Sequence, residues 1–186
     1  MKELRQLKHI LSLSLLLVTA VIGLYTQFNQ GEIPVLGVKV ENEPIIRQDG
    51  RESVKVTEVI DGDTIRLEDG RTVRYIGIDT PETKHPTVGQ ECFGQEASAK
   101  NAELVKGKAV ELEKDVSQTD RYGRLLRYVW VNGQLVNEVL VAEGYAVASS
   151  YPPDVARQEQ LRMAEQVARQ ENKGLWATCP SQSVPE

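Results

Sequence analysis

Histidine is nearly missing from this chain, with two in 186 residues. His9 precedes an apolar segment, which leaves His85 alone for chemistry and excludes two-histidine zinc sites and histidine-rich catalytic centres. Cysteine is equally scarce. Cys92 and Cys179 show no metal-ligand spacing and are either one disulfide or two separate buried thiols. Positive charge is in deficit, 22 Lys and Arg against 27 Asp and Glu for a net charge of −5, so no global field draws the protein onto a polyanion. A nucleic-acid role therefore requires a few placed arginines and a cation rather than a basic coat. Internal repeats and low-complexity tracts are absent. The remaining balance, 40% hydrophobic and 26% charged residues, is that of one globular domain with appendages.

One long apolar run is present, residues 10–24, and it follows Lys2, Arg5 and Lys8. A basic start before an apolar core has the form of an export signal. The run is slightly short for a membrane span of about 20 residues, although residues 26–28 extend it. Residues 1–28 are thus expected to be a signal peptide or an uncleaved membrane anchor, with the basic end cytoplasmic and the remainder exported. Residues 29–52 contain Gly31, Pro34, Gly37, Pro44 and Gly50 and are expected to form a linker, with a stray strand near 35–40 as the competing reading. Residues 53–180 form the expected domain, and 181–186 a tail.

Within the domain the pattern changes to short alternations. Val54, Val56 and Val59-Ile60 make a first strand, with Lys55 and Thr57 on its other face. Residues 64–67 make a second, Asp69-Gly70 is a hairpin signal, and residues 71–78 make a third. Residues 95–105 are expected to be helical and closed by Gly107. Residues 109–114 and 125–131 are two further strands, with Asn132-Gly133 as a turn. Residues 135–143 form a short helix ended by Gly144, and residues 145–150 are extended or irregular. Pro152-Pro153 blocks helix, and Asp154 is expected to cap a long helix reaching Lys173 and stopped by Gly174. Five short strands with helices inserted late predict an α+β, mainly β fold: a five-stranded OB-type barrel with three helices.

Two acidic turns bracket the first three strands, Asp61-Gly62-Asp63 and Asp79-Thr80-Pro81-Glu82. The first and third strands of a meander run in the same direction, so their ends share one edge at roughly 10 Å. Asp63 and Asp79 can then converge on one ion. Two carboxylates, a backbone carbonyl such as that of Thr80 and several waters suit Ca²⁺ or Mg²⁺. Taken alone, Asp-Gly-Asp reads first as a polar turn. Glu82 lies on the same rim, where a carboxylate can orient or deprotonate an attacking water. Arg74 can fork onto a phosphate oxygen, and Arg124, from the run Thr119-Asp120-Arg121-Tyr122-Gly123-Arg124, supplies a second guanidinium. Each arginine taken singly also reads as a surface ion pair.

These motifs together closely resemble the staphylococcal nuclease (thermonuclease) family: Ile-Asp-Gly-Asp-Thr at 60–64, Arg74 with the Asp-Thr-Pro-Glu-Thr-Lys-His-Pro of 79–86, Thr-Asp-x-Tyr-Gly-Arg at 119–124, Val-Asn-Glu at 136–138 and Leu175-Trp176. The resemblance covers about residues 53–178. It implies that Asp63, Asp79 and the Thr80 carbonyl bind Ca²⁺, that Glu82 is the general base, and that Arg74 and Arg124 contact the scissile phosphate. It further implies hydrolysis of DNA and RNA, single-stranded or denatured, with little sequence preference and 3′-phosphate products. Two departures stand out. Val88 occupies a position where the family's type member carries lysine, and residues 149–153 read Ser-Ser-Tyr-Pro-Pro where it has two tyrosines. Tyr151 and Tyr122 remain as the pair that can sandwich a base. The cysteines lie outside the family pattern; a Cys92–Cys179 bridge in an exported protein would tie the active-site loop to the C-terminal tail. No obligate partner is indicated, so a monomer, secreted or membrane-anchored, is expected. The alternative is a catalytically inactive OB module that binds nucleic acid or protein.

Overall fold

Val54 and Val56 are buried while Lys55 and Thr57 face solvent, and this two-residue period builds the longest strand of the structure. The structure is a computed structural model and describes residues 45–46, 50–83 and 91–179. The apolar run at 10–24, most of the expected linker, His85, Val88 and the tail all lie outside the described residues. Among the described residues no helix is long and apolar enough to cross a membrane.

A two-residue strand, β1 (Ile45–Ile46), pairs antiparallel with β2 (Glu52–Asp61). A meander follows through β3 (Thr64–Leu67) and β4 (Thr72–Tyr75). After the first helix come β6 (Ala109–Glu113) and β7 (Leu125–Val131). β4 pairs with β7 in parallel, and β6 pairs with both β7 and β2. The order β2-β3-β4-β7-β6 therefore returns to its start, a closed five-stranded barrel with no free edge, as the OB-type expectation requires. Its interior is filled by Val56, Ile65, Leu67, Val73, Leu112 and Val129. Asn132 and Gly133, both at positive φ, turn β7 into the short β8 (Gln134–Leu135), the conformation a two-residue hairpin loop demands.

Helix α1 (Gly94–Val105) lies across β2 with Ala97, Asn101 and Val105 buried. Helices α2 (Val136–Ala142) and α3 (Gln158–Gln170) pack on each other, and a single turn, α4 (Leu175–Thr178), follows. Among the described residues the multi-turn helices number three, as expected. A disulfide joins Cys92, just before α1, to Cys179, just after α4.

Three expectations require correction. Residues 71–78 are not one strand: β4 stops at Tyr75, and β5 (Ile78–Asp79) leaves the barrel to pair with β9 (Val147–Ala148). The cause is Gly77, held at φ +79°, where a side chain would also meet Leu161 Cδ1 of α3 at 2.5 Å. Only glycine combines that left-handed backbone with that approach. Asp154 caps no helix. It is buried, and its Oδ1 accepts from the amides of Val116 and Ser117 at 3.0 and 2.7 Å, so its cap-like chemistry serves the loop before β7. The long helix accordingly runs 158–170 rather than 154–173. Third, residues 134–135 pair as β8 before α2 begins at Val136.

Candidate active site

The turn joining β2 to β3 is built to press against the residue after β5. The Asp63 amide donates to Asp61 Oδ1 at 3.1 Å, the local Asx geometry expected of Asp before glycine. A Cβ on Gly62 would lie 2.6–2.8 Å from the side-chain atoms of Thr80, so only glycine allows the turn to seat there. In return, the Thr80 amide donates to Asp63 Oδ2 at 3.0 Å and Thr64 Oγ1 donates to Asp63 Oδ1 at 3.1 Å. Register then brings in the arginine. Arg74 stands opposite Thr64 in the β3–β4 pair, and the Tyr75 amide donates to the Asp63 carbonyl at 2.9 Å. The kink at Gly77 returns the chain so that Asp79 lies on the far side of the same guanidinium. Arg74 Nη1 sits 2.7 Å from Asp63 Oδ2, and its Nη2 donates to Asp79 Oδ1 at 2.6 Å. Nη1 also donates to the Ile78 carbonyl at 3.0 Å.

Charge in this cluster is unbalanced. Asp63 is 4% exposed, and burial pushes its carboxyl up to about 7, against the opposing pull of Arg74 and the Thr80 amide and with help from Asp61 and Asp79. Burial likewise raises Asp79, with Arg74 opposing. Glu82 is raised by partial burial and then by the fields of Asp61 and Asp79. Burial works against the Arg74 cation, but Asp63 and Asp79 outweigh it and hold its pKa above the usual value. Two carboxylates thus touch one guanidinium, and Asp61 and Glu82 add negative charge to the same field. Among the described residues no three His, Cys, Asp or Glu side chains are grouped to hold an ion by themselves. The donors brought together are the buried Asp63 and half-buried Asp79 carboxylates, all oxygen, with negative charge in excess. That fits a hard divalent cation completed by water.

Beside this cluster lies a pocket of about 500 Å³ whose walls include Arg74, Asp120, Tyr122, Arg124, Tyr151 and Asp154. Tyr122 and Tyr151 are 68% and 55% exposed, so two aromatic faces are offered to whatever enters. Arg121 and Arg124 lie 4.8 and 5.5 Å from the Tyr122 ring centroid. Arg74 links the two regions, lining the pocket while holding the acidic cluster. The residues marked in the sequence therefore fall into one assembly: Asp63, Asp79, Thr80 and Arg74 in contact, Glu82 within their field, and Arg124, Tyr122 and Tyr151 across the pocket.

Asp120 was missed, although Asp two residues before Tyr and four before Arg is the signal of an Asx turn. Its Oδ1 accepts from the amides of Tyr122 and Arg124 at 2.9 and 3.0 Å, and its Oδ2 accepts from Arg124 Nε at 2.7 Å. Burial opposes its ionisation, but these bonds from Arg124 and Tyr122 hold its carboxyl below the usual range. Asp120 thus shapes the loop and aims the guanidinium. Asp120→Ala is expected to cost about 1 kcal/mol of stability and to free the Arg124 guanidinium. Urea unfolding checks the first and side-chain NMR of Arg124 the second, an unmoved Arg124 showing that Asp120 aims nothing.

A family model described as "Staphylococcal nuclease homologue" matches residues 72–178. The chain is 37% identical over 168 residues to "Thermonuclease" of Staphylococcus hyicus, covering 88% of this chain and 95% of that protein. It is 42% identical over 130 residues to "Endonuclease YncB" of Bacillus subtilis (strain 168), covering 67% of this chain and 62% of that one. With "SPbeta prophage-derived endonuclease YokF" of the same organism it shares 43% over 134 residues, 68% of this chain and 45% of that one. The match therefore spans less than two thirds of each of these two Bacillus proteins.

Proposed function

This chain belongs to the staphylococcal nuclease family, and from that premise we propose that it is a Ca²⁺-dependent nuclease. Its substrates are single-stranded or denatured DNA and RNA, cut with little sequence preference to leave 3′-phosphate ends. A nuclease is the activity named for the relatives reported above. The observation that carries the finer reading is the grouping of Asp63, Asp79 and Glu82 around Arg74 at the rim of a pocket that Arg124 also lines.

Asp63, Asp79 and the Thr80 carbonyl would hold the cation, which supplies fixed positive charge beside a phosphate. Arg74 and Arg124 approach the same phosphate from two sides, and planar guanidinium forks match its oxygens and the charge that builds on them. Glu82 orients the attacking water and takes its proton. The upward displacement of its carboxyl makes it a stronger base once ionised. Tyr122 and Tyr151 stack on bases through faces that do not distinguish one base from another, which supports low sequence preference and a single-stranded substrate. A binding module needs aromatic faces and arginines but has no use for Glu82. The Cys92–Cys179 bridge supports an exported protein, secreted or membrane-anchored, because such bonds persist in oxidising compartments.

The test is an assay of the full chain on denatured DNA and on RNA with Ca²⁺ and with excess chelator. Cleavage with Ca²⁺ and its arrest by chelator are expected, with 3′-phosphate ends shown by end-group analysis. Cleavage undiminished in chelator would overturn the metal assignment. No cleavage under any condition would leave the inactive binding module as the reading.

A further inference from the structure

The residue assigned as base has its backbone held by a segment that the reading above does not use. The Glu82 amide donates to Glu91 Oε2 at 2.9 Å, and the Glu91 amide donates to the Glu82 carbonyl at 2.9 Å. Both backbone polar groups of Glu82 are therefore fastened by one residue. On the same side, a Cβ at Gly94 would stand 2.7 Å from the Glu82 carbonyl oxygen, so the first turn of α1 abuts Glu82 as closely as glycine permits. Next to Glu91 is Cys92, bonded to Cys179. Cys179 is fixed in turn, its amide donating to the Leu175 carbonyl at 2.9 Å, while the Leu175 amide donates to the Gly144 carbonyl at 2.9 Å and the Leu175 side chain is fully buried. A continuous path thus runs from the core through α4 and the disulfide to Glu91 and Glu82.

We propose that the Cys92–Cys179 disulfide, acting through Glu91, positions Glu82, so that the enzyme turns over at full rate only in its oxidised form. Glu91 is a positioning residue and touches no substrate. The proposal rests on the assignment of Glu82 as base. The Phe93 and Tyr145 rings, 5.4 Å apart at their centroids, and α1's own contacts are a second tether on this segment, so opening the bridge loosens it without unfolding it. Glu91 loses its fixed neighbour, and Glu82 loses the constraint that aims it. Displacement of a catalytic group by about 1 Å is enough to cost up to about a hundredfold in rate. The consequence falls on turnover, because Glu82 belongs neither to the cation ligands nor to the pocket walls. An enzyme so built works outside the cell and is restrained in a reducing compartment.

The experiment compares the full chain, oxidised and reduced, on denatured DNA with saturating Ca²⁺. A small dithiol gives two electrons and two protons to the S–S bond, leaving two cysteine thiols and the cyclic disulfide of the reductant. Intact mass verifies the change, and circular dichroism verifies that the fold persists at the assay temperature. Reduction is expected to lower kcat about tenfold or more with KM and the Ca²⁺ midpoint little changed, and reoxidation to restore it. A Cys92→Ser/Cys179→Ser chain behaves as the reduced enzyme. In the oxidised state Glu91→Ala reproduces the loss, whereas Glu91→Gln, which retains an acceptor for the Glu82 amide, keeps most of the rate. In Glu82→Gln, reduction leaves the residual rate unchanged. Equal kcat in both redox states of a folded wild type overturns the proposal. So does a reduction penalty in Glu82→Gln equal to that of wild type, because the bridge then acts through something else. Glu82→Gln cleaving as fast as wild type shows instead that the base assignment has failed, and the proposal falls with it.

Discussion

Arg74→Ala loses activity by about a thousandfold and, without added cation, is less stable than wild type by a margin that grows as pH rises past about 7. Two losses coincide because one guanidinium serves two groups of partners. In the proposed mechanism it forks onto the phosphate; as a countercharge it stands 2.7 and 2.6 Å from Asp63 and Asp79. Removing it strands two carboxylates whose ionised forms burial already disfavours, the situation in which breaking a buried pair is far costlier than the pair is worth. The sign of the pH dependence follows. Without Arg74 both folded-state carboxyl pKa values rise further above their unfolded values. Stability is then retained below the unfolded values near 4 and lost as pH rises through the folded ones. The gap between variant and wild type is therefore small at pH 4 and widens as pH rises past the wild-type carboxyl values. Ca²⁺, which supplies a substitute countercharge, recovers more stability in the variant than in wild type. Arg74→Lys restores part of the stability and little of the activity, because an ammonium neutralises but does not fork. Chemical denaturation at two pH values with kinetics at saturating Ca²⁺ checks these outcomes. A variant equally destabilised at pH 4 and pH 8 would show that packing, not charge, is what Arg74 contributes.

Asp63→Asn moves stability and activity in opposite directions. The cation-free variant is expected to be more stable than wild type at pH 7, on the order of 2 kcal/mol, while nuclease activity falls by about a hundredfold or more, since even the outer partners of a metal ligand cost that much. The amide fits the existing hydrogen bonds. Its oxygen replaces the Oδ2 that accepts from the Thr80 amide and lies beside Arg74, and its nitrogen replaces Oδ1, where the Thr64 hydroxyl turns round to accept. What disappears is the cost of ionising a carboxyl that burial raises to about 7. A carboxyl raised on folding contributes stability below its unfolded value and loses it as pH climbs toward the folded one. Wild type therefore declines between about pH 4 and pH 7 on account of this group, and Asp63→Asn does not. Ca²⁺ narrows the difference by stabilising wild type and not the variant. Thermal unfolding of both proteins across that pH range, with and without Ca²⁺, decides it. An Asp63→Asn protein less stable than wild type at pH 7 would mean that the ion pair with Arg74 outweighs the burial of the charge.

Both predictions start from residues visible in the chain, yet neither magnitude could be read there. The turns Asp61-Gly62-Asp63 and Asp79-Thr80-Pro81-Glu82, the arginines at 74 and 124, and the tyrosines at 122 and 151 stand out because glycine, proline and charge interrupt short alternating strands. Those signals are local, which is why four of the five barrel strands and the Asn132-Gly133 turn were legible to within a residue or two. The break at Gly77 was not legible. An apolar run reads as one strand unless something shows that Leu161, far along the chain, occupies the space a side chain would need. Asp154 likewise reads as a helix cap, because its true partners, the Val116 and Ser117 amides, are nearly forty residues away. By itself the sequence determined the kind of fold and which chemical groups are available, since periodicity and turn chemistry act over a few neighbours. The tertiary structure alone decided how those groups meet. Burial, the sharing of one guanidinium by Asp63 and Asp79, and the fastening of Glu82 through Glu91 to a disulfide all depend on contacts between distant segments. A carboxylate's charge cost is set by how much water those contacts remove.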